Sequence, residues 1–75
     1  MQVHVFAFGQ IAEFTGKQFS VDASSIQTLR LALEQRYPQL ATLQYAIALN
    51  KKIVAEDESI SENDEIALMP PYSGG

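Results

Sequence analysis

The stretch "SSIQTLRLALEQRYP", Ser24 to Pro38, decides how the rest of the chain is read. Ile26, Leu29, Leu33 and Tyr37 recur at i, i+3, i+7 and i+11, the apolar stripe of one α-helix, and Ala32 widens it. Ser24 or Ser25 can accept a hydrogen bond from an orphan amide of the first turn. Pro38 disfavours helical geometry at Tyr37 and so ends the helix near there. Leu31 falls off the stripe and is expected to be part exposed. One such stripe covers one face of a sheet, not two, which favours an α+β arrangement with a single wrapped helix.

Outward from the helix, the flanks read as strands. "QVHVFAF" (Gln2–Phe8) is rich in β-branched and aromatic residues. Its parity sets Val3, Val5 and Ala7 on one face and His4, Phe6 and Phe8 on the other. "GQIAEFTG" follows as a loop with a glycine at each end, and "KQFSVD" (Lys17–Asp22) as a second strand with Phe19 and Val21 inward. After the helix, "QYAIALN" (Gln44–Asn50) is a third strand and "IVA" (Ile53–Ala55) a fourth, with "NKK" as the tight turn between them. The acidic stretch "EDESISENDE" reads as loop with Ile60 as a buried peg, and Asn63 tolerates the left-handed conformation a turn would need there. "EIALM" (Glu65–Met69) is the last strand, Ile66 and Leu68 inward, Met69 on the opposite face. Hairpin, helix, then further strands is the order of the ubiquitin-like β-grasp, a mixed sheet of four to five strands with one main helix.

Composition narrows the function. Seventy-five residues make one domain near the lower limit for a core that folds unaided. With no cysteine, disulfides and thiolate metal sites are excluded, and a reducing, cytoplasmic setting is expected. "MQVHVFAFGQ" carries no basic n-region, so no signal peptide is expected, and no apolar run approaches the ~20 residues of a membrane span. Five Lys and Arg in a chain of net charge −4 cannot form a phosphate-tracking stripe, which argues against nucleic acid.

Most catalytic constellations are missing too. His4 is the one histidine, and no serine sits in a nucleophile elbow, so no nucleophile–base pair is visible. His4 reads as a strand residue at a surface or interface. The four glycines form no phosphate-binding loop. Glu56, Asp57, Glu58, Glu62, Asp64 and Glu65 lack calcium-loop spacing and read as a solvated loop, so no metal site is expected. Lys51 and Lys52 read as polar turn residues.

The segment "PPYSGG", Pro70 to Gly75, is different. Pro70 and Pro71 lack amide hydrogens, cannot extend the ladder, and leave the sheet as a stiff extended segment. Those residues could reach about 20 Å at ~3.1–3.6 Å each. Gly74 and Gly75 have no side chain and can thread a slot too narrow for a Cβ. A terminal carboxylate is a poor electrophile until joined to a nucleotide phosphate as a mixed anhydride. A Gly-Gly end on a stiff arm therefore suits activation inside another protein's active site; the alternative is a frayed end.

These residues resemble the ubiquitin-like sulfur carriers, and within them the small subunits of molybdopterin synthase. "DEIALMPPYSGG" is similar to that family's ending, Pro-Pro-x-x-Gly-Gly after a strand that follows Asp-Glu. "FGQIAEFTG" is similar to its loop F-A-x-x-R-E-x-x-G, "LRLALEQRYP" to its helix and "IALN" to its strand before a tight turn. Two departures are Ala12, where the family usually has arginine, and Asn63, where it has glycine. The first puts the arginine's role in docking in doubt.

The resemblance implies a mechanism. A partner related to ubiquitin-activating enzymes, an adenylyltransferase, adenylates the Gly75 carboxylate with ATP and Mg²⁺, and this chain itself binds no cofactor. A sulfur donor then converts the acyl adenylate to a thiocarboxylate, a 1-thioglycine. The carrier docks on the large synthase subunit in a heterotetramer, with Pro70, Pro71, Tyr72, Ser73 and Gly74 threading into that subunit's active site. Sulfur passes to cyclic pyranopterin monophosphate, and two carrier cycles build the dithiolene of molybdopterin. Gly75 is then the covalent group of a sulfurtransferase whose acid–base residues lie on the large subunit. Strand parity supplies a surface for that partner: Phe6, Phe8 and Met69, joined by Ile53, point away from the helix-covered face. The other reading of that face is a second small core with Ile11 or Phe14 as its lid. A thiazole-pathway sulfur carrier, a β-grasp interaction module without covalent chemistry, and a ubiquitin-like protein modifier are the rival functions.

Overall fold

In the computed structural model, which describes residues 1–70, α2 (Ile26–Arg36) lies across one face of a five-stranded sheet. Ser25 caps the helix: its Oγ accepts from the Thr28 amide at 3.2 Å, and the Thr28 hydroxyl accepts from the Ser25 amide at 2.9 Å. This reciprocal pair satisfies first-turn groups that would otherwise be orphaned. Leu29 and Leu33 are fully buried and Ile26 nearly so, while Leu31 is 64% exposed and stands alone on the solvent side. Burying a leucine side chain in this way contributes roughly 1.5–3 kcal/mol.

The sheet is mixed. β1 (Gln2–Ala7) and β2 (Gln18–Asp22) form the antiparallel hairpin, with Val5 opposite Phe19 and Val3 opposite Val21. β3 (Ala46–Leu49) pairs antiparallel with β4 (Lys52–Ile53) and with β5 (Glu65–Met69). β5 in turn lies parallel to β1, giving the spatial order β2-β1-β5-β3-β4. This is the β-grasp arrangement. Val3, Val5, Ala7, Ile47, Ile66 and Leu68 face α2 and form the core with its stripe.

Local expectations are corrected at several points, and one turn is added. The segment after β1 is not a loop: Gly9–Thr15 forms a short helix, α1, which buries Ile11 completely. Glycines at both ends masked a helix held by Ile11 in the core, with Ala12 and Phe14 packed against it, rather than by propensity. After Tyr37 the chain makes a 3₁₀ turn, Pro38–Thr42, that drives Leu40 into the core. Left-handed backbone occurs not at Asn63 but at Asn50 (φ 52) and Lys51 (φ 73), in the tight turn between β3 and β4. β3 and β4 are also shorter than expected, and Val54, just past β4, buries its side chain while its amide donates to the Ile47 carbonyl at 2.9 Å.

The acidic loop is tied down. The Ile26 amide donates to the Glu58 carbonyl at 2.8 Å and the Ile60 amide to the Ser24 carbonyl at 2.9 Å, with Ile60 buried between them. On the far side, the Tyr45 hydroxyl donates to Glu34 Oε2 at 2.9 Å and Arg30 stacks over its ring. Burial and the neighbouring Glu34 carboxylate push the tyrosine up to about 12.

Candidate functional site

The outer face of the sheet, away from α2, is the candidate site. Strand alternation places Phe6, Ala67, Ala48 and Ile53 in one row across four strands, each opposite the next. Gln18 continues the row onto β2. Met69 follows one pleat further along, paired with Ala46, and Phe8 lies alongside it where its amide donates to the Leu68 carbonyl at 3.2 Å. Phe6, Phe8, Ala48, Ile53, Ala67 and Met69, with Lys51 and Glu65, line an apolar groove of about 470 Å³.

All four residues expected on a partner surface reach this groove, though not equivalently. Phe8 is 50%, Ile53 62% and Met69 39% exposed, an unusual outlay of apolar surface for so small a chain. Phe6 is half-buried and forms a wall shared with a second, shallower groove lined also by Gly9, Ala12, Glu13 and Lys17. The lid reading of this face is excluded. Ile11 sits inside the main core and Phe14 packs toward Tyr37 at the end of α2, so neither covers the groove.

Two contributors were not singled out from the sequence. Ala48 and Ala67 make the floor, and their small size is what keeps the groove concave. The alternation in "AIAL" and "EIALM" already placed both on the outer face. His4 has the partner it lacked in the sequence: its Nε2 lies 2.8 Å from the Gln18 side-chain amide oxygen, and its ring is 4.9 Å from that of Phe6. It packs on the outer face with Ser20 and Glu65 opposite it on the neighbouring strands, and its side-chain hydrogen-bond partner is Gln18.

The turn carrying Lys51 is held rigidly. Asn50 Nδ2 donates to Asp64 Oδ1 at 3.0 Å, while Asn50 Oδ1 accepts from the Glu65 amide at 2.9 Å. Asp64 Oδ2 also accepts from the Ser61 amide at 2.8 Å. That backbone hydrogen bond, with the Asn50 amide, holds the Asp64 carboxyl below its usual range. Among the described residues, no group of three His, Asp or Glu side chains could hold a metal ion, and no helix is long and apolar enough to cross a membrane.

The groove ends where β5 ends. Pro70 follows Met69 directly and rests against Gly9, so the segment beyond it starts from the margin of the outer face. Pro71, Tyr72, Ser73, Gly74 and Gly75 lie outside the described residues.

The described residues make a β-grasp domain whose outer sheet face is bare and apolar. The family is specific: the ThiS family model matches residues 5–75, and the chain belongs to that family. It is 34% identical over 99% of its length to the molybdopterin synthase sulfur carrier subunit of Dictyostelium discoideum, covering 96% of that protein. It also superposes with a TM-score of 0.76, at 31% identity and complete coverage of both chains, on a chain of the Helicobacter pylori complex of subunits 1 and 2 of molybdopterin-converting factor. SAMP1 of Haloferax volcanii matches with a TM-score of 0.80 at 25% identity, again over both whole chains.

Proposed function

We propose that this chain is the sulfur-carrier subunit of a cytoplasmic molybdopterin synthase, docking through its outer face and donating sulfur from Gly75. The observation that carries the reading is the placement of Pro70 at the margin of the apolar groove, so that one surface can be held while the segment beside it is delivered elsewhere. Relatives named as a sulfur carrier subunit and as one half of a two-subunit converting factor support the choice of partner.

In this reading an adenylyltransferase joins the Gly75 carboxylate to AMP from ATP with Mg²⁺, expelling pyrophosphate. A sulfur donor displaces AMP and leaves a thiocarboxylate. The large subunit then binds Phe8, Ile53 and Met69 over the alanine floor, with Phe6 as one wall, and receives the Pro70–Gly75 arm. Its own residues supply proton transfers while the thiocarboxylate sulfur passes to cyclic pyranopterin monophosphate.

The test uses chemically thiocarboxylated carrier, intact or lacking Gly75, with the large subunit and the pterin substrate. Intact carrier should yield molybdopterin, and the shortened chain should yield none while still competing for docking. Removing a residue shifts the reacting carbon by ~3.5 Å, and about 1 Å of misplacement can already cost a hundredfold. Equal product from both forms defeats the reading. The intact mass of the chain from its native cell provides an independent check, since the carrier form shows oxygen replaced by sulfur at Gly75.

A further inference from the structure

Gly9 is the first residue of α1, with φ +60, a backbone conformation that L side chains rarely adopt. A Cβ placed there would lie 2.8 Å from Pro70 Cγ and 3.6 Å from both Cβ and Cδ of the same ring. The first distance is closer than real Cβ contacts come, and the proline ring, closed on the backbone, cannot swing aside as a flexible side chain would. Gly9 thus leaves a notch, and Pro70 fills it.

The surroundings make the notch directional. β1 and β5 run side by side as far as Ala7 and Leu68, and one further bond, from the Phe8 amide to the Leu68 carbonyl, closes the ladder. Beyond it β1 turns away into α1 while β5 runs on through Met69. Pro70 has no amide hydrogen, so it cannot donate a further ladder bond. Its ring against Gly9 takes over that task at the point where the two chains part.

We propose that Gly9 and Pro70 form a seat that sets the direction in which the C-terminal segment leaves the sheet, and that Gly9 is therefore a positioning residue for sulfur transfer. The second clause rests on the carrier reading above; the first does not. Fixing the exit next to the docking groove lets one binding event align both surface and arm, and orientation of this kind can govern rate without governing affinity. Gly9 touches no substrate and acts only through Pro70.

The test has two arms, both on the full chain. In the first, nuclear Overhauser contacts are measured between the Gly9 Hα protons and the Pro70 ring in the unmodified protein. Contacts are expected, and their absence overturns the seat. In the second, thiocarboxylated Gly9→Ala, Pro70→Ala and the double variant are assayed with saturating large subunit for single-turnover sulfur transfer, alongside their affinity for that subunit. Each single variant should transfer about tenfold more slowly at unchanged affinity, and the double variant no more slowly than either single one. Pro70→Ala adds no side chain to the notch, so it tests the seat even if Gly9→Ala folds poorly. Wild-type rates in Pro70→Ala, losses that multiply in the double variant, or a loss confined to affinity overturn the positioning role. If the thiocarboxylated wild-type carrier transfers no sulfur at all, the carrier reading and the positioning role fall together, and the seat is judged by its ring contacts alone.

Discussion

The inner and outer faces of the sheet come from the same strands by the same alternation, yet their centres are filled in opposite ways. On the inner face Val5, Ile47, Ile66 and Leu68 are fully buried, and branched side chains occupy the middle. On the outer face the middle is Ala48 and Ala67, and the bulk stands around them as Phe6, Phe8, Ile53 and Met69. A face meant for water alternates to polar residues, and a face meant for a core is filled from its centre. Small in the middle and large at the edge satisfies neither. It leaves a hollow that another molecule's side chain can fill, and it costs the isolated domain exposed apolar surface.

The largest effect expected from this contrast is on the inner side. Leu29→Ala removes a fully buried side chain and should cost about 2–5 kcal/mol, measured from urea unfolding midpoints. A domain of this size has little more than that in reserve, so the variant should be substantially unfolded in buffer. A loss under about 1 kcal/mol would mean that α2 is not the keystone of the core.

Phe8→Ala should behave in the reverse manner. Half its surface is already exposed, so the urea midpoint should move by less than about 0.5 kcal/mol, while affinity for the large subunit falls more than tenfold, or ~2 kcal/mol. If Phe8→Ala unfolds the chain as Leu29→Ala does, the two faces are not different in kind.

The smallest effect is at the groove's rim. Asp64 has a depressed carboxyl in the folded state, so folding favours its ionised form. Its contribution is complete above the ordinary carboxylate pKa of ~3.9 and is lost as pH falls through the lower, folded value. Thermal melts of the wild type and Asp64→Asn should therefore differ at neutral pH and converge in acid. Equal separation at every pH would show that the Ser61 and Asn50 hydrogen bonds do not depend on the charge.

The sheet's parity and the stripe of α2 were legible because each rests on several residues repeating at a fixed period. Val3, Val5 and Ala7 lie opposite Phe6 and Phe8 for no reason beyond the pleat. What escaped was whatever rests on one residue. Ile11 anchors α1 and Leu40 the 3₁₀ turn, and a single large anchor in so short a segment carries no period. The groove's alanines escaped for another reason: size marks a floor only once the large neighbours around it are known. The seat of Pro70 joins positions far apart in the chain, a relation that no local pattern carries.

The parallel pairing of β1 with β5 also governs when this domain can fold. The first strand made and the last one finished are neighbours at the centre of the sheet, and β5 alone joins the β2-β1 half to the β3-β4 half. Until residue 69 has left the ribosome, Val3 and Val5 belong to an isolated hairpin, which is marginal in water. The loop between the central strands must close before either is rewarded, a cost that slows folding relative to helical domains of equal length. The two hairpins therefore wait on the arrival of Glu65–Met69 to join them, and a translation stall before that strand would release a fragment whose sheet lacks its centre.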